Sequence, residues 1–183
     1  MIPLSLIVSV LIGSAFSYVT LPGPCPQVPT IENFSWAKVS GSWFAIKSTS
    51  DVNGEYDYCP IVKLFMQNNL TISYVEQFGI QGYLRGQGGP GKIDSKQSNK
   101  LSVKFLPHDP SFDRYIVKTD YKNFVTIYGC ESYGENHRAY GRIATITKTP
   151  SAEVKLAGYL ALQSLGLPIT SLINSDFTNC NFS

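Results

Sequence analysis

The side chains best suited to covalent chemistry in this sequence are its four cysteines, Cys25, Cys59, Cys130 and Cys180. No two of them have the Cys-x-x-Cys spacing that binds zinc, and their even number is typical of disulfides formed in an oxidising compartment. Cysteines that pair with one another are not available as nucleophiles. Four cysteines allow three connectivities, and composition does not choose among them.

The two histidines are the next candidates for chemistry. His108 lies in Pro-His-Asp-Pro and His137 in Glu-Asn-His-Arg, and both contexts are turn-like, so we expect solvated imidazoles rather than catalytic or haem-binding ones. The sequence contains no Gly-x-Ser-x-Gly elbow, His-Glu-x-x-His motif, P-loop or dinucleotide fingerprint. We therefore predict that the chain is not an enzyme, has no metal site and requires no cofactor.

The composition is that of a folded globular protein. The chain has 183 residues, of which 43% are hydrophobic and 15% charged, and these values fit one globular domain with a sizeable core. The formal net charge is +2 without a cluster of lysine or arginine, which argues against a nucleic-acid partner.

The N-terminus has the pattern of a signal peptide. An apolar run from Pro3 to Ile12 is too short to span a bilayer, and Ala15 and Ser17 occupy the small-residue positions of a cleavage site. We predict a signal peptide over residues 1–17, a single domain over residues 18–183, no transmembrane segment and a secreted protein. Asn33 and Asn69 begin Asn-x-Ser/Thr sequons, so both are predicted glycosylation sites.

The positions of these residues depend on a run of short segments with strand-like composition. Eight strands are predicted, at Gly41–Thr49, Cys59–Met66, Leu70–Phe78, Gln81–Gly86, Lys100–Leu106, Arg114–Thr119, Phe124–Cys130 and Tyr140–Thr147. The glycine-rich stretch from Gly79 to Gly91 is expected to end its strand early and to form a pliable rim.

After the last predicted strand, the spacing of apolar residues changes from that of a strand to that of a helix. Thr149 and Pro150 are suited to begin a helix, and Gly166 is suited to end it. An apolar stripe is predicted to face the strands, made of Val154, Ala157, Ala161 and Leu165. The fold class is therefore predicted as all-β, an eight-stranded antiparallel up-and-down barrel with one C-terminal α-helix packed on its outside. A β-sandwich with a terminal helix is the structural alternative.

A set of short motifs in this order resembles a known family. Gly41-Ser42-Trp43 opens the first strand, Cys25-Pro26 and Asn33-Phe34 precede it, and Thr119-Asp120-Tyr121 precedes the seventh strand. Together they resemble the lipocalins of the apolipoprotein D and insect bilin-binding (insecticyanin) type, and the resemblance covers nearly the whole mature chain.

The resemblance implies a closed barrel end and a disulfide pairing. Trp43 would plug this end, and Gly41, Thr119, Asp120 and Tyr121 would belong to it. Lys148 stands where the family has an arginine that stacks on the tryptophan. The pairing implied is Cys25 with Cys130 and Cys59 with Cys180.

The resemblance also implies a ligand-binding lumen. With Trp43 facing inward, strand alternation predicts a lining composed of Val62, Leu64, Ile72, Tyr74, Glu76, Leu101, Val103, Phe105, Tyr140, Arg142 and Ala144. Tyr74 and Phe105 are expected to be the main aromatic contacts. The implied ligand is a small hydrophobic molecule, namely a biliverdin-like pigment, a fatty acid or sterol-like lipid, or an odorant or pheromone.

Two alternatives remain open from the sequence. The barrel could be only the scaffold of a defensive or protein-interaction module, and a homo-oligomer or a cell-surface receptor could be a further partner. Within the lumen, Arg142 is predicted to be a charged anchor whose partner is either Glu76 or an acidic group on the ligand. If Glu76 neutralises it, the site prefers neutral ligands. A bulge near Gly141 would instead turn Arg142 to solvent.

Overall fold

The computed structural model describes residues 18–49, 58–80, 83–106, 108, 110–178 and 180. The predicted signal peptide, residues 1–17, lies outside this part of the chain. No helix in the described part combines the length and apolar character needed to cross a bilayer.

The described residues form one antiparallel sheet of ten strands and two α-helices. The strands are β1 (Val19–Pro22), β2 (Gly41–Thr49), β3 (Tyr58–Asn68), β4 (Thr71–Ile80), β5 (Tyr83–Ile93), β6 (Lys100–Val103), β7 (Phe112–Thr119), β8 (Phe124–Tyr133), β9 (Asn136–Thr145) and β10 (Leu172–Asn174), and the helices are α1 (Trp36–Val39) and α2 (Ala152–Gln163). Consecutive strands from β2 to β9 pair with one another, and β9 also pairs with β2. The sheet therefore closes into the predicted eight-stranded barrel, and the sandwich alternative is wrong.

The two additional strands were not predicted from the sequence. β1 extends the sheet beside the first half of β9, and β10 pairs with the second half of β2. Both lie on the chain's terminal segments, which have little strand-like alternation of their own. Pairing with an existing strand edge supplies hydrogen bonds that the local sequence does not specify.

The predicted glycine-rich rim is wrong, because β5 continues through it. Every residue from Tyr83 to Lys92 has a pairing partner on β4, and β6 pairs with the end of β5. A Cβ built at Gly89 would lie 1.8 Å from the carbonyl oxygen of Lys104, and one at Gly91 would lie 2.6 Å from the side chain of Leu101. These glycines permit close packing within the barrel wall rather than loop flexibility.

Helix α2 packs on the outside of the barrel and begins two residues later than predicted. Its N-cap is Ser151, whose Oγ accepts a hydrogen bond from the amide of Val154. The most buried residues of the helix are Gly158 and Leu162. Of the predicted stripe, Leu165 is buried just after the helix, and Val154, Ala157 and Ala161 are half-buried. A Cβ at Gly158 would lie 2.8 Å from Ile143 on β9, and the glycine therefore allows the helix to approach the wall.

Alternate connections of an up-and-down barrel lie at the same end. Helix α1, directly before β2, covers one end together with the β3–β4, β5–β6 and β7–β8 connections; we call this the closed end. The β6–β7 and β8–β9 connections lie at the opposite end, which we call the mouth.

Two disulfides tie the terminal segments to the barrel. Cys25 is bonded to Cys130 on β8, and Cys59 on β3 is bonded to Cys180 near the C-terminus. This is the pairing that the family resemblance implies. The bonds close loops of 105 and 121 residues, so each removes considerable chain entropy from the unfolded state.

Candidate functional site: the barrel lumen

Side chains that alternate along the strands fill the inside of the barrel as one buried cluster. Its members that the sequence predicted are Trp43, Val62, Leu64, Ile72, Tyr74, Leu101, Val103, Tyr140 and Ala144, with Phe105 packed against them. Ile116, Val125 and Ile127 complete the wall from β7 and β8. The structure thus brings together all the apolar residues predicted to line the lumen.

The closed end is sealed by two tryptophans. The indole N–H of Trp43 donates to the carbonyl of Val39 at 3.0 Å, and that of Trp36 donates to the carbonyl of Ser98 at 2.7 Å. Both rings are buried, so each buries a large apolar area while its one polar atom is satisfied. The carbonyls belong to the lead-in to β2 and the β5–β6 connection, which the indoles tie to the barrel floor.

The predicted turn at Thr119, Asp120 and Tyr121 belongs to the same end. The carboxylate of Asp120 accepts hydrogen bonds from the amides of Lys122, Asn123 and Phe124, which holds the β7–β8 turn in shape. Thr119 Oγ1 accepts from the amide of Tyr121 at 2.9 Å. The ring of Tyr121 packs against the lumen cluster from below. This segment is therefore structural in the fold.

Gly41 begins β2 at the closed end with a φ of 148°, a backbone conformation that favours glycine. Lys148, by contrast, does not lie over Trp43. Strand β9 ends at Thr145, two residues before the predicted end of this strand, so Lys148 lies beyond its alternation. The Lys148 side chain is exposed, with its ammonium 5.6 Å from the ring centre of Phe44 on the outer face. The predicted contact with Trp43 is wrong.

A polar layer crosses the lumen between the apolar floor and the mouth. Glu76 on β4 is 3% exposed, and its Oε1 accepts hydrogen bonds from the hydroxyls of Tyr74 and, at 2.8 Å, Tyr140. Its Oε2 accepts from Nε2 of Gln87 at 3.1 Å. Because β4 and β9 are not neighbours in the sheet, the bond to Tyr140 spans the interior of the barrel.

Arg142 lies in this layer and faces the lumen, as in the predicted alternative without a bulge near Gly141. It is 3% exposed, its Nε donates to Ser48 Oγ at 2.9 Å, and its Nη1 lies 3.8 Å from Glu76 Oε1. Gly141 does not form a bulge that turns Arg142 outward; β9 stays in regular register with β8 there. Glu76 is thus an ionic partner of Arg142.

A second buried arginine, Arg114 on β7, was not predicted as a site residue. It is also 3% exposed, and its guanidinium carbon lies 4.5 Å from the ring centre of Tyr140. The signal available in the sequence was its parity with Ile116, which faces the lumen two residues later. The residue lies near the start of a strand, where a charged side chain is ordinarily solvated.

The polar layer keeps its carboxyl ionised. Burial alone raises the pKa of Glu76, but the charges of Arg142 and Arg114, with the hydrogen bonds from the two tyrosines, outweigh burial and lower that pKa to about 2. Burial and the adjacent Glu76 carboxylate raise the pKa of the Tyr74 hydroxyl, so this tyrosine remains a hydrogen-bond donor.

The remaining predicted residues lie outside the lumen. Asn33 and Asn69 are exposed in turns, where glycosylation at both stays a prediction. His137 was expected to be solvated in a turn, and this expectation is wrong. The residue lies on β9 with 6% exposure, and its Nδ1 is 2.9 Å from the carbonyl oxygen of Gly23. Among the described residues, no three histidine, cysteine, aspartate or glutamate side chains are grouped so that they could hold a metal ion.

Comparison with known proteins finds relatives along the length of the chain, although no family model matches it. It is 27% identical over 189 residues to bilin-binding protein of Pieris brassicae, covering 94% of both chains. It is 31% identical over 131 residues to apolipoprotein D of Oryctolagus cuniculus, covering 68% of this chain and 64% of that protein.

The fold has close structural neighbours as well. The structure of insecticyanin from Manduca sexta superposes with a TM-score of 0.76 at 21% identity, covering 91% of this chain and 94% of the other. The sequence relatives are a bilin-binding protein and an apolipoprotein, and this relationship supports the prediction of a non-enzymatic protein. As a homologue of bilin-binding protein and apolipoprotein D with a closed eight-stranded barrel and a C-terminal helix, the chain belongs to the lipocalin family.

Proposed function

We propose that this lipocalin is a secreted carrier that holds one small hydrophobic molecule in its lumen. The observation that carries the proposal is the division of the barrel interior into a sealed apolar floor and a polar layer below the mouth. Such a site, mostly apolar with a few convergent polar groups, is suited to bind and orient a small ligand. The homology to a bilin-binding protein supports this proposal.

Aromatic rings line the proposed path from the floor to the mouth. The ring centres of Tyr74 and Phe105 are 6.3 Å apart, and those of Phe105 and Phe112 are 5.8 Å apart. Phe112 begins β7 at the mouth, whereas Tyr74 contacts the polar layer. We assign these rings the main apolar contact with a ligand, since flat aromatic surfaces bury large areas at little conformational cost.

Three ligand classes fit a lumen of this kind: a bilin-like pigment, a fatty acid or sterol-like lipid, and an odorant or pheromone. The first is favoured by the name of one relative, bilin-binding protein. Native mass spectrometry and the absorption spectrum of protein purified from its source separate the classes. A visible band with a matching mass identifies a pigment, while a lipid mass without colour identifies the second class.

Binding itself is tested with delipidated, folded protein. Retinol, palmitic acid and a bilin are each titrated against a neutral fluorescent probe, N-phenyl-1-naphthylamine. We expect at least one to displace the probe, and Phe105→Ala to weaken that binding about tenfold. Phe65→Ala is the matched control, because Phe65 is 47% exposed on the outer wall. If all three ligands and the probe fail to bind, the carrier proposal is wrong.

Secretion is a separate part of the proposal. The apolar N-terminal run supports it, and so do two disulfides, which persist in oxidising compartments. Expression of the full chain in a secretory cell line followed by N-terminal sequencing of the medium should give a mature protein beginning at Tyr18. Retention of the protein inside the cell with an intact N-terminus contradicts this part.

A further inference from the structure

The polar layer extends across the whole cross-section of the barrel. Glu76 on β4 accepts hydrogen bonds from Tyr140 on β9, at 2.8 Å, and from Gln87 on β5, at 3.1 Å. The ring centre of Tyr140 lies 4.5 Å from the guanidinium carbon of Arg114 on β7, and a further hydrogen bond of the layer reaches Ser48 on β2. Because β4 and β9 are not neighbours in the sheet, the bond between Glu76 and Tyr140 is a bridge through the lumen.

This bridge is tightly enclosed. Glu76 is 3% exposed, Tyr140 2% and Tyr74 1%. Both oxygens of the carboxylate have partners inside the layer, because Oε1 accepts from the two tyrosine hydroxyls and Oε2 accepts from Gln87. A ligand that passed this level would have to break hydrogen bonds to a buried charge, and the loss of such bonds is costly. The layer therefore resists passage from the mouth to the floor.

The floor beneath the layer is filled by its own side chains. Its apolar members with 0% exposure are Val62, Leu64, Ile72, Leu101, Val125 and Ala144. At this value, neither solvent nor an internal void as large as a water molecule adjoins any of them. A ligand would enter the floor only by displacing packed side chains, and a protein interior of this kind resists overpacking.

The side chains on the mouth side of the layer are different, because they are aromatic and only half-buried. Phe78 shares the inward parity of Glu76 on β4, and the ring centres of Phe105 and Phe112 are 5.8 Å apart. Strand β4 continues from Glu76 only to Ile80, which is about 10 Å along the barrel axis at a rise of about 3.3 Å per residue and a tilt of about 40°. The accessible part of the lumen is therefore shallow.

We propose that the hydrogen-bonded bridge between Glu76 and Tyr140 is a barrier that confines the ligand to the mouth half of the lumen. This inference rests on the carrier function proposed above and names the ligand class: compact apolar molecules, with one ring system or a chain about as long as that of 1-octanol. Such a ligand contacts Phe78, Phe105 and Phe112. The end of a longer chain stays in solvent, because the bridge separates it from the floor.

The test uses neutral 1-alkanols from 1-hexanol to 1-dodecanol, which differ only in length. Each is titrated against N-phenyl-1-naphthylamine on the delipidated protein. In wild type the affinity should rise roughly fourfold for each methylene group that is buried and should stop rising near 1-octanol. Tyr140→Ala removes the bridge, so the rise should continue to 1-dodecanol. Ile116→Ala is the matched control, because it removes a buried side chain of β7 beneath an intact bridge and should keep the wild-type limit.

A second measurement needs no variant. Both tryptophans of the chain, Trp36 and Trp43, are buried in the floor. The neutral probe 1,10-dibromodecane has at each end a heavy atom that quenches indole fluorescence on contact, so its deeper end is labelled in either orientation. At a concentration that displaces N-phenyl-1-naphthylamine, it should leave the tryptophan fluorescence of wild type unchanged. In Tyr140→Ala, where the chain reaches the floor, it should quench that fluorescence.

The outcomes separate the two proposals. If the affinity of wild type still rises at 1-dodecanol, if the bound dibromide quenches its tryptophans, or if folded Tyr140→Ala keeps the wild-type limit, the barrier inference is overturned and the carrier function stands. If Tyr140→Ala does not fold, the two wild-type measurements decide alone. If neither the probe nor any alkanol binds to folded wild type, the carrier function fails and the inference fails with it.

Discussion

The two halves of the lumen are built on opposite principles. At the closed end, Trp36 and Trp43 bury their rings and satisfy their indole N–H groups on nearby carbonyls. Towards the mouth, Glu76, Arg114 and Arg142 place three charges inside the barrel, each side chain 3% exposed. The first half gains stability from apolar burial, whereas the second bears the cost of desolvating charge.

This difference separates folding from recognition within one cavity. A floor of well-packed rings is sufficient to close a barrel and requires no charge. Compared with apolar side chains of similar volume, the polar layer is expected to add little net stability, since the attraction between its ions is offset by their desolvation. Its presence is explained if the charges orient a ligand. Buried polar groups that break the pattern of an apolar core are expected at functional sites.

The largest expected effect on stability comes from a change in the apolar floor at the closed end. Trp43→Ala removes a ring that is 4% exposed, and we expect a loss of about 3–5 kcal/mol in the free energy of unfolding. Denaturant titration gives the stability, and Phe65→Ala on the outer wall is the control. An equal loss in both variants would show that the floor has no special role.

Acid should weaken the polar layer specifically. The folded-state pKa of Glu76, about 2, is below the ordinary value of 4.5. Its contribution to stability is therefore full above pH 4.5 and is lost as the pH falls towards 2. Over this window wild type should lose roughly 3 kcal/mol more than Glu76→Gln, which lacks the titrating group. Unfolding measured at several pH values checks this; parallel curves for the two proteins contradict it.

A smaller effect on stability is expected at the packing contact between Gly129 and Arg114. Gly129→Ala places a methyl group against Nη1 of Arg114 and 3.0 Å from the carbonyl of Asp113. We expect a loss of about 1–3 kcal/mol in stability, as for other overpacked sites. Ser132→Ala, exposed on the same strand, is the control. Wild-type stability in Gly129→Ala would contradict the close packing of Arg114 on this glycine.

The smallest effect should come from Lys148. Its ammonium contacts the rings of Phe44 and Phe177 on the outside of the barrel. An exposed contact of this kind contributes about 0.5–1 kcal/mol at most. Lys148→Met should therefore unfold within this margin of wild type in thermal melts and should bind ligands equally well. A loss of several kcal/mol in the free energy of unfolding would instead support the predicted role of Lys148 at the closed end.

Much of the site could be predicted from the sequence because strand alternation is local. Once Trp43 was assigned to the interior, the two-residue period carried Val62, Tyr74 and Arg142 inward without knowledge of the pairing partners. The disulfide pairing came from the family resemblance and agrees with the structure. The predicted strands also correspond one for one to β2–β9, with ends displaced by a few residues.

The errors lie where a distant strand decides the outcome. The glycines of β5 have the composition of a loop, and only the close approach of residues such as Lys104 and Leu101 explains them. Lys148 was assigned to the closed end from the family position of an arginine, but β9 already ends at Thr145. The start of helix α2 was placed two residues early, because Ser151 rather than Thr149 is its N-cap.

The sequence by itself determined the strands of the barrel, because periodicity is a property of short segments. Its resemblance to a known family then indicated the closed-end tryptophan and the inward set of side chains. Only the tertiary structure decided which buried charges meet. The pairing of Glu76 with Arg142 and the mounting of Arg114 over Gly129 and Tyr140 join strands that are far apart in the chain. The free energy of a buried charge depends on every neighbour within a few ångströms, and closure of the barrel sets those neighbours.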